Sequence, residues 1–234
     1  MKRLLVVGDS WCANSWVNWP TIVGDRLNLE TINLSVEGSS NDWIFRKTIE
    51  WISCQENTDE IFVIVGLTSA SRREENFNNL HPGSIFLETD KVVKFVYENL
   101  YNNELAHLQS ISYILALQEF FKSKEIKYLF FDCWYDIMDC EEELLLNKKS
   151  KGIKYFNFDG HKESIEQENN EGVYYTEELN IGKMLNNINT TYFLRPDSCN
   201  GKEILKNETG HPTEQDSINI ANMLVEKIKK EYKI

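Results

Sequence analysis

Positive charge is scarce in this chain. Against 37 Asp and Glu there are only 25 Lys and Arg, a formal net charge of −12, and the basic runs are short. Holding a phosphate backbone takes clustered Lys and Arg, so nucleic acid is not an expected partner, and neither is an anionic membrane surface. Long apolar runs are missing as well: no segment nears the roughly 18 apolar residues that read as a membrane span. The opening MKRLLVV is too short for a signal-peptide core and runs at once into Gly8-Asp9-Ser10. It reads as a strand feeding a loop, and the expected location is cytoplasmic. The five cysteines (Cys12, Cys54, Cys133, Cys140 and Cys199) are scattered and lack any CxxC pair, which predicts reduced thiols and no zinc site. Also absent are a G-x-S-x-G elbow, a P-loop, a G-x-G-x-x-G turn and an H-E-x-x-H helix, so nucleotide and metal chemistries lose their usual marks. The acidic run from Asp139 to Glu143 reads most simply as a solvated face, with an acidic metal site as the alternative.

What is present is an ordinary globular balance, 41% hydrophobic and 26% charged over 234 residues, enough for a substantial core and too apolar for disorder. Nothing resembles an interdomain linker, so residues 1–234 read as one domain. Residues 3–7 form a first strand that stops at Gly8. A helix from about Trp16 to Leu27, with Pro20 in its first turn, leads to a second strand near Glu30 to Leu34. Apolar residues at Trp43, Ile44, Ile49, Trp51 and Ile52 predict an amphipathic helix over 41–54. Glu60 to Val65 is the clearest strand, a helix spans about Glu104 to Lys122, and Lys127 to Asp132 reads as a fourth strand. Residues 134–206 form a variable insertion region that holds a fifth strand at 153–157 or at 190–194. The last helix begins at Pro212, in its first turn, and carries Ile218, Ala221, Leu224, Val225 and Ile228 on one face. Strands alternating with helices predict an α/β fold with a doubly wound, mostly parallel sheet of about five strands, in which ligands gather at the carboxyl ends of the strands.

Chemistry-bearing residues fall at those strand ends. Gly8-Asp9-Ser10 follows strand one, where a serine hydroxyl suits a nucleophile, although a strand followed by G-D-S is also a common turn. Gly38, past strand two, lets a backbone N–H approach a ligand with no Cβ in the way, or is simply a turn glycine. Gly66-Leu67-Thr68-Ser69 follows strand three. Glu208 stands three residues ahead of His211, close enough to bond one ring nitrogen while the other faces the serine.

Four short motifs in this order resemble the SGNH (GDSL-like) hydrolase superfamily. The resemblance implies a flavodoxin-like α/β fold and an esterase or deacylase working by acyl transfer. It casts Ser10 as nucleophile, His211 as base, and Glu208 as the acid that orients the imidazole. The oxyanion hole falls to the N–H groups of Ser10 and Gly38 and to Thr68. No cofactor or metal is implied. Thr68 stands where the family has asparagine, and a hydroxyl reaches less far than an amide. Asn41 is a substitute donor or an ordinary helix start. Glu208 replaces the usual aspartate. Residues 66–72, GLTSASR, also resemble the third block of GDSL-like proteins encoded by phages; for a phage-encoded protein the virion is the alternative to the cytoplasm. The expected substrate is a small-molecule or glycan ester, with carbohydrate O-acetyl groups preferred.

Other readings compete with these. Thr68 and Glu208 motivate a catalytically silent SGNH-fold module that binds a glycan or partner. A flavodoxin-like domain whose GDS loop holds an anion is a third option. His161 with Asp159 is the rival base, while His81 and His107 read as structural or exposed. Trp11, beside the nucleophile, either stacks on a substrate or is buried in the core.

Overall fold

The computed structural model describes residues 2–14, 18–70, 72, 103–133, 184–194 and 211–233. Among these residues the sheet has five parallel strands: β1 (Arg3–Val7), β2 (Glu30–Asn33), β3 (Ile61–Leu67), β4 (Lys127–Asp132) and β5 (Phe193–Leu194). Their order is β2-β1-β3-β4-β5, that of a flavodoxin-like doubly wound sheet. β3 lies at the centre and all seven of its residues are buried, so it reads in sequence as an unbroken apolar run rather than an alternation.

Four helices flank the sheet among the described residues: α1 (Trp19–Leu27), α2 (Asn41–Ser53), α3 (Asn103–Ser123) and α4 (Glu214–Tyr232). Strand side chains point alternately to the two faces, and each face has its own core. Leu5, Val7, Val63, Val65 and Phe130 meet Ile44 and Ile52 of α2 and Ile111, Ile114 and Phe121 of α3. Leu4, Val6, Phe62, Ile64, Leu129 and Phe131 meet Trp19 and Val23 of α1 and Ile220, Leu224 and Ile228 of α4.

Local signals fix the helix ends. α1 carries Pro20 in its first turn and ends at Asn28 in the left-handed conformation (φ 54°). α4 opens with a capping box between Thr213 and Asp216, which satisfies N–H groups that the helix itself cannot. Pro212 therefore precedes the cap instead of lying in the first turn. The fifth strand falls within 190–194, one of the two expected segments; 153–157 lies outside the described residues.

β5 pairs with only Phe130 and Phe131 of β4. Nearer the start of β4, the Tyr232 hydroxyl accepts from Tyr128 N–H at 3.0 Å and donates to Tyr128 C=O at 2.7 Å. A side chain thus bonds both main-chain groups of Tyr128 and pins the end of α4 to the beginning of β4. Tyr232→Phe is expected to lower stability by about 1 kcal/mol, read by denaturant unfolding; an unchanged midpoint would show that water replaces the hydroxyl without cost. Burial pushes the Tyr128 phenol up to about 12 and raises that of Tyr232 too. Raised folded values favour the neutral phenols, so this stability is intact below the ordinary tyrosine value of about 10. It falls above that value, the Tyr128 share of it as pH rises through about 12 and the Tyr232 bridge as its own, likewise raised, hydroxyl ionises. Thermal midpoints measured across that window should fall together with the growth of tyrosinate absorbance.

Candidate active site

The chain leaves β1 for β2 on one side and returns to β3 on the other, so the winding direction reverses between β1 and β3. In open α/β sheets the crevice outside the carboxyl ends at such a switch point is where ligands bind. Ser10 follows β1 at this place and Thr68 follows β3. Gly38 lies in the loop after β2, held in the left-handed region at φ 73°, which L side chains rarely adopt. That loop is tied back to β1 by Val36 N–H donating to Gly8 C=O at 3.1 Å. Among the described residues, neither the N–H of Ser10 nor that of Gly38 donates a hydrogen bond.

The turn after β1 is wound around Asp9. Its carbonyl accepts from Cys12 N–H at 2.9 Å and Ala13 N–H at 3.0 Å. Its carboxylate, fully buried, accepts from Trp11 N–H at 2.9 Å, the Thr68 hydroxyl at 2.8 Å and Arg72 Nη1 at 2.7 Å. The residues on both sides of Ser10 are therefore fixed. Thr68, expected to donate to an oxyanion, donates its hydroxyl to Asp9, because a buried carboxylate is a far stronger acceptor than water. The Thr68 N–H goes to Asn41 Oδ1 at 3.0 Å.

Asn41, weighed as a substitute oxyanion donor, gives its amide to Thr68 C=O at 2.8 Å and Ser110 Oγ at 3.2 Å. It is the first residue of α2, with Ser40 as the N-cap, and its side chain secures the backbone beyond β3. The sequence reading missed Arg72 and the Asp9 carboxylate. The one available signal was an arginine ending the GLTSASR run, just past a strand that abuts the one before Asp9.

His211 is half-buried and stands two residues ahead of the α4 N-cap. The far end of α4 reaches the beginning of β4 through Tyr232, so α4 runs against the strands and starts at their carboxyl edge. That puts His211 at the same end of the sheet as Ser10. No hydrogen bond joins the Ser10 hydroxyl to the His211 ring among the described residues. Glu208 lies outside the described residues, as do His81, His161, Asp159 and the 139–143 run. His107 is buried in α3 and Trp11 is buried in the α1 and α4 core, so the core reading of Trp11 holds.

Beneath the turn, Cys12 and Cys133 place their sulfurs 3.9 Å apart. With the Asp9 carboxylate they form a set whose ligand atoms lie within 4.8 Å of one another. This set fits a metal poorly. The carboxylate already accepts from three donors, one of them a guanidinium, and burial raises both thiols above their ordinary value, whereas a metal needs thiolates. The sulfurs act as packing: a Cβ on Gly66 would fall 2.2 Å from Cys12 Sγ, and one on Gly8 would fall 2.6 Å from it.

No family model matches the sequence, nor does any curated protein. Solved structures do. The chain is similar to the psychrotrophic esterase EstA from Pseudoalteromonas sp., at a TM-score of 0.53 and 11% identity over 100% of both chains. A protein assigned to the G-D-S-L lipolytic family from Desulfitobacterium hafniense DCB-2 aligns at 0.51 and 9% identity, over 97% of this chain and 99% of that one. A protein from Slackia heliotrinireducens described as an SGNH hydrolase aligns at 0.50 and 11%, over 97% and 98%. The class is thus a doubly wound α/β protein. Within it, the fold is that of the SGNH hydrolases. No helix among the described residues is long and apolar enough to cross a membrane.

Proposed function

We propose that the protein is a serine ester hydrolase acting by acyl transfer. Ser10 attacks an ester carbonyl, His211 takes the proton and later returns it to the leaving alkoxide, and Glu208 holds the imidazole in the useful tautomer. The N–H groups of Ser10 and Gly38 receive the developing oxyanion, and Thr68, its hydroxyl given to Asp9, steadies the turn that carries Ser10. The observation that carries this reading is a serine at the topological switch point whose own N–H, like that of Gly38 in the loop after β2, makes no hydrogen bond among the described residues. Donors already in place there cost no reorganisation when charge develops. The preferred substrate class is a small uncharged ester, with carbohydrate O-acetyl groups foremost. A chain of net charge −12 does not oppose a neutral ligand.

A second reading is favoured by the engagement of Thr68. With its hydroxyl given to Asp9, the hole keeps two backbone donors, and loss of one oxyanion donor typically costs about 10²–10³ in rate. A slow enzyme, or a module that only binds, follows from that loss. A fluorophosphonate probe separates the readings, since it reports serine activation independently of substrate choice. The EstA structure is one inhibited by monoethylphosphonate. Stoichiometric labelling of Ser10 supports the hydrolase, and an unlabelled folded protein supports the binding module.

A further inference from the structure

The Arg72–Asp9 pair joins the loop after β3 to the turn that carries the nucleophile. Both partners are buried, with side-chain exposures of 7% and 0%. A carboxylate taken out of water is tolerated only if it is paired and hydrogen-bonded, and Asp9 meets that condition through Arg72, Thr68 and Trp11 N–H. The loop is shaped for the contact: Arg72 N–H donates to Ser69 C=O at 3.1 Å, closing a turn that returns the arginine toward β1. Asp9 in turn fixes the residue before Ser10 through its own position and the residue after it through the Trp11 N–H.

We propose that Arg72 is a positioning residue for the nucleophile, holding the Ser10 turn in its reactive geometry by neutralising the buried Asp9 carboxylate. The inference rests on the reading of Ser10 as nucleophile. It assigns Arg72 no contact with substrate, so its loss alters the chemical step and not ground-state binding. Without the guanidinium, Asp9 takes up a proton, stays charged in a dry site or moves toward solvent, and each outcome loosens the turn and shifts Ser10 relative to the Gly38 N–H. Misplacement on the scale of 1 Å is enough to cost about a hundredfold.

The test is the rate at which a fluorophosphonate probe labels Ser10, with kcat and KM on a short-chain activated ester. The variants are Arg72→Gln, Arg72→Lys, Asp9→Asn and Asp9→Asn combined with Arg72→Gln. Arg72→Gln should slow labelling and kcat by about 10–100-fold with KM changed less than about twofold, and Arg72→Lys should recover part of the loss. In the Asp9→Asn background there is no buried charge to neutralise, so removing Arg72 should cost nothing further. Wild-type labelling by a folded Arg72→Gln protein would overturn the proposal. So would a double variant that labels ten or more times slower than Asp9→Asn alone, and this comparison stands even if Arg72→Gln does not fold. Failure of the nucleophile reading looks different: the wild-type protein would then be labelled no faster than Ser10→Ala.

Discussion

Ser10→Ala is expected to abolish turnover of a short-chain activated ester, lowering kcat/KM by roughly 10⁴–10⁶-fold. The loss is large because the hydroxyl is the atom that forms the covalent intermediate. The fold should not notice, since Ser10 lies in a turn held by Asp9 and its neighbours, and its hydroxyl makes no hydrogen bond among the described residues. A thermal midpoint within about 2 °C of the parent is therefore part of the prediction. His211→Ala should produce a comparable loss, and the double variant should be little worse than either single one, because residues that act as a unit are non-additive. Undiminished hydrolysis by Ser10→Ala rejects the assignment. Losses that multiply in the double variant would mean that the serine and the histidine work in separate steps.

The strands were readable because each of the inner ones buries both faces, so Leu4 to Val7 and Ile61 to Leu67 stand out as apolar runs against polar surroundings. The helices announced themselves by the spacing of their apolar residues, but the caps Ser40 and Thr213 went unread. β5 did not, for a physical reason: it contributes only Phe193 and Leu194, and the pairing it would give Tyr128 comes from a tyrosine side chain on α4. The switch-point residues Ser10 and Gly38 were legible from their place after strands one and two. The Arg72–Asp9 pair was not, since 63 positions separate the partners and only the adjacency of β1 and β3 brings them together. Thr68 illustrates the same limit. Its identity was visible, but whether its hydroxyl faced an oxyanion or a carboxylate depended on Asp9, whose burial no local pattern reveals.

The sulfur of Cys12 makes a second large effect predictable, this time on stability. It fills the space left by two glycines at the carboxyl ends of β1 and β3, and in Gly66→Ala the added methyl would lie 2.2 Å from it. Cys12 is fully buried and its sulfur also meets Cys133, so it cannot swing aside without disturbing the turn. Overpacking of this kind costs about 1–3 kcal/mol, and the upper end is expected here because the strain falls on a central strand. The other neighbours of the new methyl are an ordinary 3.5 Å and 3.6 Å away, so Cys12→Ala should relieve Gly66→Ala almost completely. A double-mutant cycle in denaturant should show a favourable coupling of at least about 1 kcal/mol. Gly8→Ala should not be rescued in the same way: its methyl would also sit 2.9 Å from Cys12 Cβ and 3.1 Å from Gly66 C=O, atoms that Cys12→Ala leaves in place. If Cys12→Ala rescued both glycine variants equally, or neither, the sulfur would not be what excludes a side chain at residue 66. The floor of the proposed active site would then be held by something other than this contact.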